Sequence, residues 1–516
     1  MLNISKEIAE QIVLKKAQTR KDIEEIKKSI AKKYGTSFPT NISILREYRK
    51  LKNNNPKVLS VLVTRPVRSL SGVVNISVLT KPYKCPGKCI YCPSEKNLPK
   101  SYLPNEPAVM RAILNNYHPA KQVEMRIRAL EDAGHPTDKI ELRIVGGTWS
   151  YYPEKYRYQF IKSCFDACNR EKSKTLKEAQ EKNESAKHRI VCLSVETRPD
   201  YINKDEVKSL RILGVTMVEL GVQSLSDDVL LFTKRGHRVE ETIKATKMLK
   251  DAGFKICYQV MPGLPKSSPQ KDIEMFKKMF EDSSFRPDFL KIYPCLVIRN
   301  TELYSLWKSG EYKPYTDDVL VNIISTIKKD IIPYYLRIQR LFRDVPIQEI
   351  SGGCKVSNLR EVFQKKAVEN NWQCKCIRCR EVRDSYNAKE KVLLFREDYD
   401  ASGGKEIFLS FENKERSKLY ALLRLRIIKK GNFSFLSNQG MIREIRTYGK
   451  HLSIKEKNES SPQHRGLGKK LIKEVEKITK DEFNLKKLAV ISGVGVRNYW
   501  RSLGYRLEKT YMVIDL

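Results

Sequence analysis

Apolar residues in the first fifty positions recur at helical spacing: Ile8, Ile12, Val13 and Leu14 are predicted on one face, followed by Ile23 and Ile26, then Ile30. The run Asn53, Asn54, Asn55, Pro56 breaks this pattern, and a first boundary is expected near 60–70. From about residue 75 the texture changes, and short β-rich runs alternate with amphipathic helices. Val73–Leu79, Ile140–Val145, Arg189–Val195, Thr216–Val222, Lys255–Val260 and Phe289–Tyr293 read as strands. Lys204–Leu213, Thr242–Ala252 and Asp272–Phe280 read as helices, the first two closed by Gly214 and Gly253. Parallel βα units in a full or partial barrel follow, with ligands expected at the C-terminal strand ends. Glu171–Lys187 is highly charged and is expected to be a solvated helix or insertion without chemistry.

Residues 330–385 read as a basic connector. Beyond about residue 386 a third texture appears: Ile407–Phe411, Leu419–Ile427 and Met441–Arg446 are strand-like, a helix starts after Gly466, and Leu488–Ser492 and Tyr511–Leu516 close an α+β unit. A length of 516 residues agrees with about three domains.

Charge narrows the partners. Lys plus Arg number 98 against 61 Asp plus Glu, a formal net charge of +37. A Lys-rich proteome is the bland explanation; a polyanionic partner, nucleic acid above all, is the sharper one. Residues 1–60 hold 14 Lys/Arg and 6 Asp/Glu. No window approaches 18 uninterrupted apolar residues and no lipidation motif occurs, so no membrane partner is expected. The first residues carry no apolar secretory core, and a reducing, cytoplasmic setting is expected.

Six of the twelve cysteines fall in two tight groups, Cys85, Cys89, Cys92 and Cys374, Cys376, Cys379. The other six sit mostly among apolar neighbours and read as ordinary buried thiols. In the first group, C-x3-C-x2-C gives three soft ligands with none left for a fourth, which suits an iron–sulfur centre, or zinc with a remote fourth ligand. In the second, C-x-C-x2-C in a connector reads as structural zinc, with Cys354 or a histidine as candidate fourth ligand.

The first motif, Cys85-Pro86-Gly87-Lys88-Cys89-Ile90-Tyr91-Cys92, resembles that of the radical S-adenosylmethionine (SAM) superfamily. The resemblance implies a 4Fe-4S cluster on Cys85, Cys89 and Cys92 whose fourth iron binds SAM. It also implies SAM contacts at the turn Gly146-Gly147, at Glu196 and in the run Gly221-Val222-Gln223, with Arg235-Gly236-His237 and Met261–Pro265 following in order. Near the C-terminus, Gln463-His464-Arg465-Gly466-Leu467-Gly468 before a helix offers free N–H groups to a phosphate. It resembles the acetyl-CoA loop of the Gcn5-related acetyltransferases. Tyr499 then maps onto a residue that touches the CoA sulfur or acts as a general acid; its plainer reading is a packing aromatic.

The whole arrangement resembles the family of Elongator catalytic subunits, the tRNA-uridine carboxymethyltransferases. The likeness rests on Asn105-Glu106-Pro107, Gly134–Lys139, Glu196–Tyr201, Leu290–Pro294 and Ile491–Gly495. It implies an α/β chain: a radical SAM partial (βα) barrel fused to a Gcn5-related acetyltransferase-like α+β domain. The expected domains are a basic helical tRNA-binding region (1–65), the radical SAM domain (66–330), the Cys-bearing connector with zinc (331–385) and the acetyl-CoA-binding domain (386–516). The implied reaction places a carboxymethyl group on C5 of the wobble uridine in the anticodon stem-loop of tRNA. Acetyl-CoA supplies two carbons, and a 5′-deoxyadenosyl radical abstracts hydrogen from the acetyl methyl. Lys139 and Tyr499 are the implied catalytic residues, and Lys139, Glu444, Ile445, Arg446, Thr447, Gly466, Leu467, Gly468, Tyr499 and Trp500 the acetyl-CoA contacts. The chain departs from the family at Gly87, where a histidine is frequent, and at Trp500, where the second tyrosine of a pair is common and an indole cannot donate a proton as a phenol does. Oligomeric state is left open between a homodimer and a complex with accessory subunits. The alternative function is a protein lysine acetyltransferase with a structural iron–sulfur domain.

Overall fold

The structure is a computed structural model that describes residues 4–52, 55–66, 69, 72–356, 358–383, 387, 389–449 and 466–516. Helices Ile4–Leu14, Arg20–Tyr34, Asn41–Lys50 and Pro56–Leu62 form an N-terminal unit. Its own core holds Ile8, Ile12, Ile23, Ile26, Ile30, Ile44, Leu45 and Tyr48. Val13 and Leu14, expected on the same face, are 37% and 73% exposed. They stand just past Ile12, where the 3.6-residue period turns side chains out of the stripe. Pro56 starts a helix at its first turn, where a missing N–H costs nothing, so the Asn53–Pro56 break is internal to the helical unit.

Seven parallel strands follow: β1 (Val74–Leu79), β2 (Lys139–Val145), β3 (Arg189–Thr197), β4 (Met217–Gln223), β5 (Lys255–Val260), β6 (Phe289–Ile292) and β7 (Arg337–Arg340). They pair in sequence order, each parallel to the next. The first and last strands do not pair, so the sheet is a half-barrel open along one side. Helices cover its outer face, which is why strands such as Arg189–Thr197 are apolar through most of their length. The seventh strand lies beyond residue 330, within the stretch expected to be connector. Its sequence, Arg-Ile-Gln-Arg, presents polar groups to the interior and carries no run of apolar residues.

A second seven-stranded sheet fills the C-terminal lobe: β8 (Leu393–Ala401), β9 (Gly404–Glu412), β10 (Leu419–Ile428), β11 (Gln439–Thr447), β12 (Lys487–Val490), β13 (Arg506–Glu508) and β14 (Tyr511–Asp515). Its order is β8-β9-β10-β11-β12-β14-β13, with β11 and β12 parallel and the other pairs antiparallel. The sequence hides β8 because charged residues occupy its exposed alternate positions.

The two lobes are fused. The backbone of β3 presses on the turn after β12 so closely that a Cβ at Gly493 would lie 2.1 Å from the Val191 carbonyl oxygen. Buried ion pairs cross the same boundary: Arg443 Nη1 to Asp288 Oδ1 at 2.8 Å and Arg426 Nη2 to Asp251 Oδ1 at 2.6 Å. The charged stretch 171–187 is part of this seam. Its helix Leu176–Asn183 buries Leu176 and Ala179, and Glu184 accepts from Arg497 at 3.2 Å. Most of its charged side chains stay in solvent, as expected, and Glu184 is the one that reaches the other lobe.

Burial alone would raise the Asp288 pKa, but Arg443, Lys250 and Arg424 outweigh it and lower the value to about 2. Glu141, between Arg143 and Arg446, is likewise lowered to about 2 against the pull of burial. Both carboxylates are ionised when folded, so their contribution is complete above the ordinary carboxylate range and is lost as pH falls towards 2. Thermal stability is expected to drop between pH of about 4.5 and 2. Asp288→Asn should cost about 3–5 kcal/mol at neutral pH and flatten that acid limb, as seen in denaturation followed by circular dichroism. Gly493→Ala should cost about 1–3 kcal/mol by overpacking the seam.

Candidate active site

At the C-terminal strand ends a cavity of about 450 Å³ opens into the half-barrel. Cys85, Cys89 and Cys92 line it, as do Gly147, Glu196 and Gln223. These sites are scattered over 139 residues of sequence, and the parallel topology brings them to one rim. Gly146 stands just behind, at φ +133, where an added Cβ would lie 1.9 Å from the Thr80 hydroxyl. Two thiols converge on Gly87: Cys89 Sγ and Cys85 Sγ lie 3.5 and 3.7 Å from where its Cβ would be. That space is closed to a side chain by the Arg198 guanidinium, 2.6 Å away, which accounts for glycine at this position.

The thiols are matched with cations. Arg235 Nη1 donates to Cys89 Sγ at 3.5 Å and is itself anchored by Nη2 on the Gly221 carbonyl at 2.6 Å. Burial raises the Cys89 pKa, but Arg235 and Arg198 lower it further than burial lifts it. At Cys92 burial, then Cys89, outweighs the cations Lys100 and Arg343 and pushes the thiol up to about 12. Arg198 is gripped by Asp200 at 2.8 and 2.9 Å, and its Nη1 has no hydrogen-bond partner among the described residues. His237, buried beside both arginines, is held at about 3 and stays neutral.

Glu196 faces the same cavity. It accepts from Tyr102 at 3.1 Å and from Gln259 at 3.1 Å, with Lys291 Nζ at 3.5 Å. Lys291 is closer to Glu219, the deeper carboxylate, and pairs with it. Burial accordingly raises the Glu196 pKa, while Lys291 and Arg143 hold Glu219 low in spite of burial. Glu196 is thus the under-compensated carboxyl, suited to a cationic or hydroxyl-bearing ligand. Tyr102, Gln259 and Lys291 were missed in the sequence. A lysine inside the apolar run Phe-Leu-Lys-Ile was the one available signal.

The second cysteine group is different in scale. Among the described residues, Cys374, Cys376 and Cys379 are the one trio whose ligand atoms all lie within 4.8 Å of one another. That suits a single ion, whereas Cys85, Cys89 and Cys92 are set more widely, as a multi-iron cluster requires. Cys354 does not join the compact trio, because its thiol is engaged by Asp317. Lys328 Nζ lies 3.5 Å from Cys379 Sγ, and no fourth ligand completes the trio among the described residues.

In the C-terminal lobe, Gly466 takes a left-handed conformation and caps the helix Leu467–Lys477. A Cβ at Gly468 would lie 3.6 Å from Thr447 Oγ1 and 3.9 Å from Ile445 Cδ1, so the helix start meets the end of β11. Gln463, His464 and Arg465 lie outside the described residues. Glu444 is committed to Arg424 at 2.8 Å, and Arg446 reaches Glu141 at 3.5 Å. Lys139 stands at the opposite strand end from the thiols, and burial lowers its pKa. Tyr499 is 40% exposed, whereas Trp500 is 2% exposed and packs edge-on against Tyr505.

Known proteins match this chain closely. Residues 80–279 match the radical SAM superfamily, 287–369 the Radical_SAM C-terminal domain and 1–70 the ELP3 N-terminal domain. The tRNA uridine(34) acetyltransferase of Methanocaldococcus infernus is 45% identical over 97% of this chain and 96% of its own length. Human Elongator complex protein 3 is 38% identical over 95% and 93%. The chain belongs to the Elongator complex protein 3 family. The solved archaeal Methanocaldococcus infernus Elp3 with N-terminus deletion (1-46) superposes with a TM-score of 0.77 at 44% identity, covering 87% of this chain and all of that one. A radical SAM domain implies a 4Fe-4S cluster and SAM, and the three widely set thiols with their arginine partners fit such a cluster. Among the described residues no helix is long and apolar enough to cross a membrane.

In metal-free protein, Cys89 is expected to alkylate faster with iodoacetamide at pH 8 than Cys92, because more of it is thiolate. Arg235→Met should slow Cys89 specifically, as read by peptide mass spectrometry.

Proposed function

We propose that this chain carboxymethylates C5 of the wobble uridine of tRNA, using SAM and acetyl-CoA. One observation carries the reading: a three-thiol cavity at the C-terminal end of a parallel half-barrel shares a chain with a glycine turn that opens a helix against a strand end. The names of the relatives, with uridine 34 of tRNA in them, support the substrate. A 4Fe-4S cluster held in that cavity would supply one-electron chemistry to a bound SAM, the source of the radical that the reaction would need. The protein holds Cys85, Cys89 and Cys92 as the cluster's ligands, balances them with Arg235 and Arg198, and offers Glu196, Gln223 and the Gly146-Gly147 turn to SAM.

The C-terminal lobe (386–516) is the proposed acetyltransferase-like domain. The free N–H groups of the helix at Gly466, Leu467 and Gly468 hold the pyrophosphate of CoA. Glu444–Thr447 line the arm through backbone groups, and Lys139 and Tyr499, away from the thiols, contact CoA where the arm leaves the C-terminal lobe. Cys374, Cys376 and Cys379 in the connector (331–385) hold zinc, which ties it to the barrel domain (66–330). The basic N-terminal unit (1–65) and the connector arginines meet tRNA phosphates, and the unpaired anticodon bases are splayed towards the cavity.

The test is anaerobic reconstitution followed by mass spectrometry of tRNA nucleosides. Carboxymethyluridine is expected only when SAM and acetyl-CoA are both present, and it is lost in Cys89→Ala. Product without acetyl-CoA contradicts the proposal. Acetyl transfer to protein lysines that survives Cys89→Ala would favour the lysine acetyltransferase reading.

A further inference from the structure

A second cavity, of about 630 Å³, occupies the other end of the half-barrel interior. The same strands line both cavities. Asn75, Glu141 and Lys255 face the lower one, and their strand-mates further along face the thiol cavity. Ser77, Arg111, Arg143, Arg340 and Asp344 line both, so the two cavities meet at a common waist formed by these side chains. Edge strands β1 and β7 do not pair with each other, so no strand ladder closes the sheet around that interior. Arg446, Tyr448 and Gly449 of the C-terminal lobe close its far end. They continue directly from Ile445 and Thr447, which meet the Gly468 turn.

The distance between the glycine turn and the thiols is not removed by moving the lobes. A Cβ-sized gap does not exist at Gly493 against Val191, and Asp288 and Asp251 are locked to arginines of the other lobe inside the protein. A group that starts at the turn must therefore travel through the interior. Strand β2, seven residues, sets that path at roughly 20 Å. An acyl-pantetheine arm is a thin extended chain of comparable reach. Its amides need polar partners, and the waist supplies the Ser77 hydroxyl and the Arg143 guanidinium, the latter steadied by Glu141 at 2.6 and 2.8 Å.

We propose that the half-barrel interior is a binding channel for the acyl-pantetheine arm of CoA, entered at Arg446–Gly449 and leading past Ser77 and Arg143 to the thiol cavity. This rests on the reading in which acetyl-CoA is the carbon donor.

The test is site protection in the full-length, reconstituted protein. Ser77→Cys at the waist, and Asn75→Cys at an exposed position nearer the entrance, are alkylated with iodoacetamide and the modified position is quantified by peptide mass spectrometry. At acetyl-CoA tenfold above its Kd, measured by calorimetry on the same variants, about one site in eleven is free, so alkylation at both positions should slow about tenfold. Adenosine 3′,5′-bisphosphate, which carries the nucleotide end of CoA without the arm, should leave both rates unchanged. Acetyl-CoA that binds without slowing either rate, or equal protection by the bisphosphate, overturns the channel. Protection by an RNA stem-loop but not by acetyl-CoA overturns it too and gives the interior to nucleic acid. Failure of acetyl-CoA to bind at all instead contradicts the carbon-donor reading, and the channel falls with it.

Discussion

Three thiols facing one buried space repel one another once they ionise, and burial raises the cost of each charge. The structure meets this with Arg235 and Arg198, two buried guanidinium groups fixed by a carbonyl and a carboxylate respectively. Gly87 gives up its side chain to let Arg198 approach. Everything else at the rim is arranged around that electrostatic balance. His237 stays neutral between the two arginines, and Lys291 sits closer to Glu219 than to Glu196, which leaves Glu196 the less compensated carboxylate. A half-barrel suits this arrangement because parallel strands deliver residues from distant parts of the chain to one edge.

The second constraint is the rigid union of the lobes. Buried ion pairs are weak evidence for stability, since desolvation offsets much of their attraction, but they are strong evidence for register. Arg443 fits one position, between Asp288 and Glu406, and Arg426 another, between Asp251 and Glu406. Gly493, pressed on the Val191 carbonyl of β3, sets the depth of approach. Together they fix the end of β11 at the lower cavity of the barrel, which Arg446, Tyr448 and Gly449 help to line.

Much of this was legible in the sequence. The strands of the half-barrel declare themselves as short apolar runs closed by glycine turns, and C-x3-C-x2-C at the first of them points to the rim. What stayed hidden has a common cause: residues whose role is set by three-dimensional pairing carry no local period. β7 and β8 are polar or alternate with charge, and Glu184 lies in a stretch that looks solvated until Arg497 is brought to it. The burial of the Trp500 ring is likewise announced by no local period. Val13 and Leu14 are apolar, yet the helix turns them outward.

The account depends most on a cluster held by three protein sulfurs with one iron left for a small molecule. Electron paramagnetic resonance of the anaerobically reconstituted, reduced protein tests it directly. The account predicts the signal of a single 4Fe-4S cluster that changes shape when SAM is added, and no such signal in Cys89→Ala. A cluster signal indifferent to SAM, or zinc in place of iron at Cys85, Cys89 and Cys92, would contradict it.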